Sequence, residues 1–161
     1  MFSKYDVYTT VQSMYCYPDT DVLINKLNIH DKAELKQAEE EFTAVKQMAL
    51  LQEPIKGRFT KTHLFRIHRF LFEDVYPFAG HIRKEQISKG DTMFYPPDLI
   101  DRELERVFQN IHSKKLLAEQ DKEKQIQNLS QTMAELNIIH PFREGNGRSI
   151  RELIRCMALE Y

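Results

Sequence analysis

The sequence predicts an all-α domain carrying one small β-hairpin. Apolar residues recur at helical spacing through most of the 161 residues. Proline and glycine fall between those stretches and not within them. A single interval, residues 81–97, breaks the helical period around a Lys-Gly-Asp-Thr turn.

The first helix is placed in residues 30–52. Asp31 and Glu34 form a capping box, and Ala38, Phe42, Val45 and Ala49 supply the apolar spacing. Pro54 and Gly57 punctuate its end. Residues 60–76 read as a second helix with Leu64, Ile67, His68 and Leu71 on one side, closed by Pro77. In residues 82–87 polar and apolar side chains alternate, then Gly90-Asp91 intervenes, and Met93, Phe94 and Tyr95 follow. Two short extended arms about such a turn make a hairpin. A lone hairpin is marginal in water and must lie against something, and its free edge can accept an extended peptide as another strand.

Beyond Pro97 a third helix spans residues 98–119, with Leu99, Leu104, Val107, Phe108 and Ile111 inward. A fourth spans residues 122–140 through Ile126, Leu129, Met133, Leu136 and Ile139. A fifth begins near Asn146 and runs through Ile150, Leu153, Ile154, Met157 and Ala158.

Composition narrows the function classes. A formal net charge of −1 gives no basic excess for non-specific nucleic-acid binding. No apolar run approaches the roughly 20 residues of a membrane span, and residues 1–20 lack a signal peptide's apolar core. Cys16 and Cys156 sit in no metal-like spacing, which favours free thiols in a reducing compartment. The expectation is one cytoplasmic domain, residues 1–161, with no nucleic-acid or membrane partner.

The chemistry concentrates in HPFREGNGRSIR, residues 140–151. A glycine-rich loop opening a helix gathers free backbone N–H groups at the positive end of the helix dipole, which is an anion site. Gly145 and Gly147 allow close approach and positive φ. Asn146 offers an amide donor that does not repel phosphate. Arg148 and Arg151, three apart, share one face of the first turn and present guanidinium forks suited to successive phosphates. Nucleotide binding is therefore favoured over an Asn-Gly turn flanked by solvated arginines. His140, before Pro141, is biased out of the helix to the loop's entrance, where a group titrating near neutrality can take a proton from a hydroxyl. Glu144, beside phosphate oxygens, reads as a Mg²⁺ ligand, and Phe142 as the anchor that pins the loop to the core.

These residues resemble the Fic family motif, His-Pro-Phe-x-(Asp/Glu)-Gly-Asn-Gly-Arg-x-x-Arg, at every specified position. YPFAGHIRKEQISKGDTMF is similar to the family's flap hairpin, and YPDTDVLINKLNI to its N-terminal segment. The resemblance implies a Fic-type helical bundle with a hairpin flap over the motif loop. It also implies a protein AMP transferase, which moves AMP from ATP to a Ser, Thr or Tyr hydroxyl of a target protein and releases pyrophosphate. By the same resemblance His140 is the base, and Glu144 holds Mg²⁺ between the α- and β-phosphates. Gly145, Asn146 and Gly147 form the anion hole, Arg148 meets the β/γ-phosphates and Arg151 the γ-phosphate. Ile87, Ser88, Thr92, Met93 and Phe94 clamp the target by strand addition, with Lys89 and Gly90 beside the nucleotide.

Doc toxins, the kinase-like branch, carry lysine where this chain has Gly147. Transfer of UMP or phosphocholine would keep the base and change the nucleotide pocket. A bare nucleotide-binding module would gain nothing from His140. No (Ser/Thr)-x-x-x-Glu-(Gly/Asn) inhibitory string is present. The implied inhibitor is a separate antitoxin-like protein, self-association, or a helix following Tyr161. The last is favoured because Leu153, Met157 and Leu159 would otherwise have few downstream packing partners. Action as an effector inside a host cell is a further expectation of localisation.

Overall fold

Side-chain caps start three of the helices. In the computed structural model, which describes residues 12–161, Asp31 accepts the Glu34 N–H at 2.9 Å, as the capping box predicts. Thr60 and Asp121 cap their helices in the same way. The helices are α1 (Lys32–Gln52), α2 (Lys61–Phe72), α3 (Pro97–Ser113), α4 (Lys122–Ile139) and α5 (Asn146–Ala158). Between α2 and α3 lies an antiparallel hairpin of β1 (Ser88–Lys89) and β2 (Thr92–Met93). The leader reading covered residues 1–20, of which residues 1–11 lie outside the described residues.

Packing centres on α5, which contacts both α2 and α4, while α3 leans on α4 and α1 on α2. Ile150, Leu153 and Met157 of α5 are fully buried. At about 1.5–3 kcal/mol for each large apolar side chain buried, the helix that opens with the glycine loop is firmly anchored. Leu153 and Met157 thus find their partners within the domain. Leu159, named with them, is 63% exposed.

Three expectations need correction. The inward face of α1 is Leu35, Glu39, Thr43 and Leu50. Phe42 and Val45, placed on the packing side by their spacing, are 40% and 69% exposed. Polar contacts from Glu39 and Thr43 turn this helix, and apolar periodicity alone cannot register them. On α4, Leu136 and Ile139 are buried, but Ile126 lies outside, 56% exposed. The long third helix ends at Ser113, because Lys115 adopts a left-handed conformation (φ 50°) before a short 3₁₀ turn at Leu116–Ala118.

The hairpin is also shorter than the alternation from Ile82 implies. Only Ser88–Lys89 and Thr92–Met93 pair, with Ser88 opposite Met93 and Lys89 opposite Thr92. Gly90 takes φ 59° at the first turn position, which a side chain would resist. Ahead of β1 the chain is held by Arg83, which is 1% exposed and so buried as a cation. Its guanidinium donates to four backbone carbonyls: His140 (2.8 Å), Glu85 (2.7 Å), Tyr95 (2.5 Å) and Ile139 (3.3 Å). Burial pulls its pKa down to about 10, so it stays charged at neutral pH. Both roots of the hairpin are thereby tied to the negative end of α4. The N-terminal segment braces the same region, with the Ser13 hydroxyl donating to Glu85 (2.7 Å) and the Tyr15 oxygen accepting the Lys84 N–H (2.9 Å). No described helix is long and apolar enough to cross a membrane.

Candidate active site

The loop between α4 and α5 is fixed before any ligand is considered. Phe142 is fully buried, and its ring stacks on His68 with centroids 3.7 Å apart and planes 13° apart. It is the anchor that the sequence predicts. His68 uses both ring nitrogens. The Gly80 N–H donates to Nδ1 (2.8 Å), so the proton must sit on Nε2, which donates to the Glu144 carbonyl (2.8 Å).

Burial pulls the His68 pKa down to about 3. The sign of its effect on stability follows from proton counting. Between about pH 6.5 and 3 the unfolded chain carries a proton on His68 that the folded chain refuses, so stability falls as pH falls. The slope is about 1.4 kcal/mol per pH unit, or about 2 kcal/mol by pH 5. Urea unfolding at pH 7 and pH 5 should show this loss, and His68→Gln should flatten the slope by that amount. Equal slopes for the two proteins would contradict the buried neutral imidazole.

Asn146 closes the loop from inside. Its Oδ1 accepts the Phe142 N–H (2.8 Å) and its Nδ2 donates to the Phe142 carbonyl (2.7 Å), with the residue 3% exposed. The side-chain amide offered to phosphate in the sequence reading is therefore committed to the backbone. Asn146 instead presents its main-chain N–H, one of the first N–H groups of α5, which have no intrahelical acceptor. Gly145 adopts φ 82°, and a Cβ there would fall 2.3 Å from the Phe72 ring. Both conformation and space demand glycine. Its N–H donates to the Glu144 carboxylate at 2.9 Å. At Gly147 a Cβ would meet only the mobile end of Arg151, at 3.0 Å.

His140 caps α4 in a left-handed conformation, φ 51°. Its Nδ1 lies 2.9 Å from the Asn137 carbonyl, which can only accept. The proton is therefore on Nδ1, and Nε2 keeps its lone pair. Burial holds its pKa below the usual histidine value; the Asn137 carbonyl opposes that shift, and the charges of Arg83 and Lys89 reinforce it. Phe94 lies flat on the imidazole, with centroids 3.7 Å apart and planes 6° apart. Of the flap residues singled out in the sequence, Phe94 is thus turned inward and Ile87 is half-buried. Ser88, Lys89, Gly90, Thr92 and Met93 are exposed.

Beside the loop, toward α1, opens a cleft of about 920 Å³ that Glu39, Thr43, Arg143, Glu144, Arg148 and Arg151 help to line. Arg148 donates from Nη1 to the Thr43 hydroxyl (3.0 Å) and from Nη2 to Glu39, lies 4.7 Å over the Phe72 ring, and is 3.9 Å from Glu144. Arg151 is exposed at the cleft. The predicted motif residues are therefore brought together, with His140 under the flap and the two arginines in the cleft. Three structural partners escaped the sequence reading. Glu39 sits in an acidic run that reads as a solvated face, Arg83 in an alternating stretch that reads as strand, and His68 showed only an inward position.

The family model described as Fic/DOC family matches residues 58–158. A Sinorhizobium fredii protein named probable protein adenylyltransferase y4lH is 38% identical over 143 residues, covering 88% of this chain and 73% of its own length. The chain belongs to the Fic/DOC family. The protein adenylyltransferase VbhT of Bartonella schoenbuchensis is 36% identical over 146 residues, and the match spans 91% of this Fic/DOC chain but 30% of VbhT. Among solved structures, the ADP-bound N-terminal Fic domain of a VirB-translocated Bep effector protein from Bartonella quintana superposes with a TM-score of 0.81. It is 26% identical, covering 90% of this chain and 75% of that one. The mostly helical bundle with a small hairpin is thus the Fic fold.

Proposed function

We propose that this chain is a protein adenylyltransferase that moves AMP from ATP to a hydroxyl of a target protein. The observation that carries the reading is the His140 imidazole, neutral, with Nδ1–H committed to Asn137 and Nε2 bare, at the mouth of a glycine loop that opens α5. The Fic relatives named adenylyltransferases point the same way.

In this mechanism the target hydroxyl oxygen forms a bond to the α-phosphorus as the bond from phosphorus to the β-bridging oxygen breaks. The proton passes to His140 Nε2, and pyrophosphate leaves. Neutral histidine at working pH suits that task, and its depressed pKa keeps it neutral. The first N–H groups of α5, at Asn146 and Gly147, stabilise the charge on the transferring phosphate. Arg148 and Arg151 hold the β- and γ-phosphates by charge-assisted hydrogen bonds.

Glu144 is the residue that would hold Mg²⁺. One half-exposed carboxylate fits a cation that takes most of its ligands from phosphate and water. Bound there, the cation would offset the negative charge of the phosphate oxygens. No group of three or more His, Cys, Asp or Glu suited to a metal occurs among the described residues, so the remaining ligands would come with the nucleotide.

The target's extended segment would add along the exposed hairpin edge, with main-chain hydrogen bonds giving affinity. Lys89 and Gly90 at the tip would face the nucleotide. We place the target in a cytoplasm, that of the producing cell or, by analogy with the VirB-translocated neighbour, of a host. Incubation with labelled ATP and candidate targets tests the reading. Label from the α-phosphate is expected on protein and label from the γ-phosphate is not. The reverse would make the chain a kinase and overturn the placement of Arg148 on the β/γ-phosphates.

A further inference from the structure

We infer that Glu39 of α1 is a positioning residue for the reaction: it fixes the Arg148 guanidinium for the nucleotide's terminal phosphates, through Arg148 and not by touching the nucleotide. This rests on the adenylyltransferase reading and names a residue outside the motif.

Glu39 is 8% exposed although it is a carboxylate on a helix with solvated acids on either side of it. One carboxylate oxygen receives Arg148 Nη2 and the other receives the Tyr76 hydroxyl. Burial and the adjacent carboxylate raise the Tyr76 pKa, so the phenol remains a donor. Thr43, one turn along α1, accepts Arg148 Nη1 at 3.0 Å while donating its own hydrogen to the Glu39 carbonyl at 2.8 Å. Phe72 covers one face of the guanidinium at 4.7 Å. The fork is therefore gripped by Glu39 and Thr43 and covered by Phe72, and what remains of it faces the cleft. Arg151 contrasts with it: it is exposed and lies in the same cleft with no such frame among the described residues.

The chemistry explains why a frame matters. An arginine side chain has considerable rotamer freedom to lose on binding. Holding the fork in place beforehand moves that cost from nucleotide binding to folding. A second, opposing effect fixes the sign of the test. A carboxylate beside phosphates also repels them, so if Glu39 were only a neighbouring charge or a competitor for Arg148, neutralising it would tighten ATP binding.

The experiment measures ATP and AMP affinity by calorimetry for the wild type, Glu39→Gln, Thr43→Val, Arg148→Ala and the double variant Glu39→Gln/Arg148→Ala. Glutamine keeps the shape and a hydrogen bond to Tyr76, and Thr43→Val removes an uncharged hook, so failure of one variant to fold leaves the other to decide. ATP affinity is expected to fall about tenfold in Glu39→Gln and about threefold in Thr43→Val, with AMP affinity unchanged. With Arg148 already replaced by alanine, Glu39→Gln should have no further effect. Tighter ATP binding in Glu39→Gln, an equal loss for ATP and AMP, or an undiminished loss in the Arg148→Ala background would each overturn the inference. Failure of the adenylyltransferase reading shows separately, as absence of α-label on protein in the wild type while these affinities behave as stated.

Discussion

Replacing His140 by alanine is expected to lower target labelling by about 10²–10⁴-fold while ATP affinity stays near that of the wild type. The geometry separates the two readouts. The imidazole is held by Asn137 and stacked under Phe94 on the flap side, whereas the groups proposed to hold the phosphates belong to α5 and the cleft toward α1. Loss of the ring removes the bare Nε2 from the loop entrance but leaves the Asn146–Phe142 lock untouched. Single-turnover labelling together with calorimetric ATP affinity provides the check. Labelling at the wild-type rate would remove His140 from the role of base, and a parallel loss of ATP binding would make it a structural cap of α4.

Arg83→Met is expected to cost about 3 kcal/mol of stability, since it strips a donor from each of four buried or part-buried carbonyls. The cost is partly offset because a buried cation is no longer desolvated. Arg83→Lys should recover little, for an ammonium cannot reproduce the planar fork that spans both hairpin roots and the end of α4. Hydrogen exchange should locate the damage, with faster exchange at the Phe94 and Tyr95 amides, which bond to Ile87 and Ile138. A loss below about 1 kcal/mol in urea unfolding, or unchanged exchange at those amides, would show that the flap is held by something else.

The helix count, the hairpin and the motif loop were legible because each rests on a local signal: apolar period, turn residues, or a glycine-rich opening to a helix. The failures share one physical cause. α1 was rotated in the reading because Glu39 and Thr43 face inward through contacts with Arg148, over a hundred residues away in sequence, and local periodicity carries no trace of that. Asn146 was given a role for its side chain when its main chain carries the offer, since amide chemistry at a glycine turn fits phosphate and backbone equally well. Arg83 between Ile82 and Lys84 looked like one member of an alternating strand. Its four carbonyl partners come from three separate segments, and only the folded chain assembles them.

The rotated face of α1 also changes how this segment should tolerate sequence drift. In an ordinary amphipathic helix the apolar positions are constrained and the charged ones are freely exchanged. Here the outward Phe42, Val45, Met48 and Leu51 make little of the domain's own core, so polar replacements there should barely register in its folding. The interior glutamate and threonine, one turn apart, should admit almost no substitute. A mutational scan of residues 32–52 would then find hydrophobicity cheap to lose everywhere but at the buried Leu35 and Leu50, and a single carboxylate costly to replace.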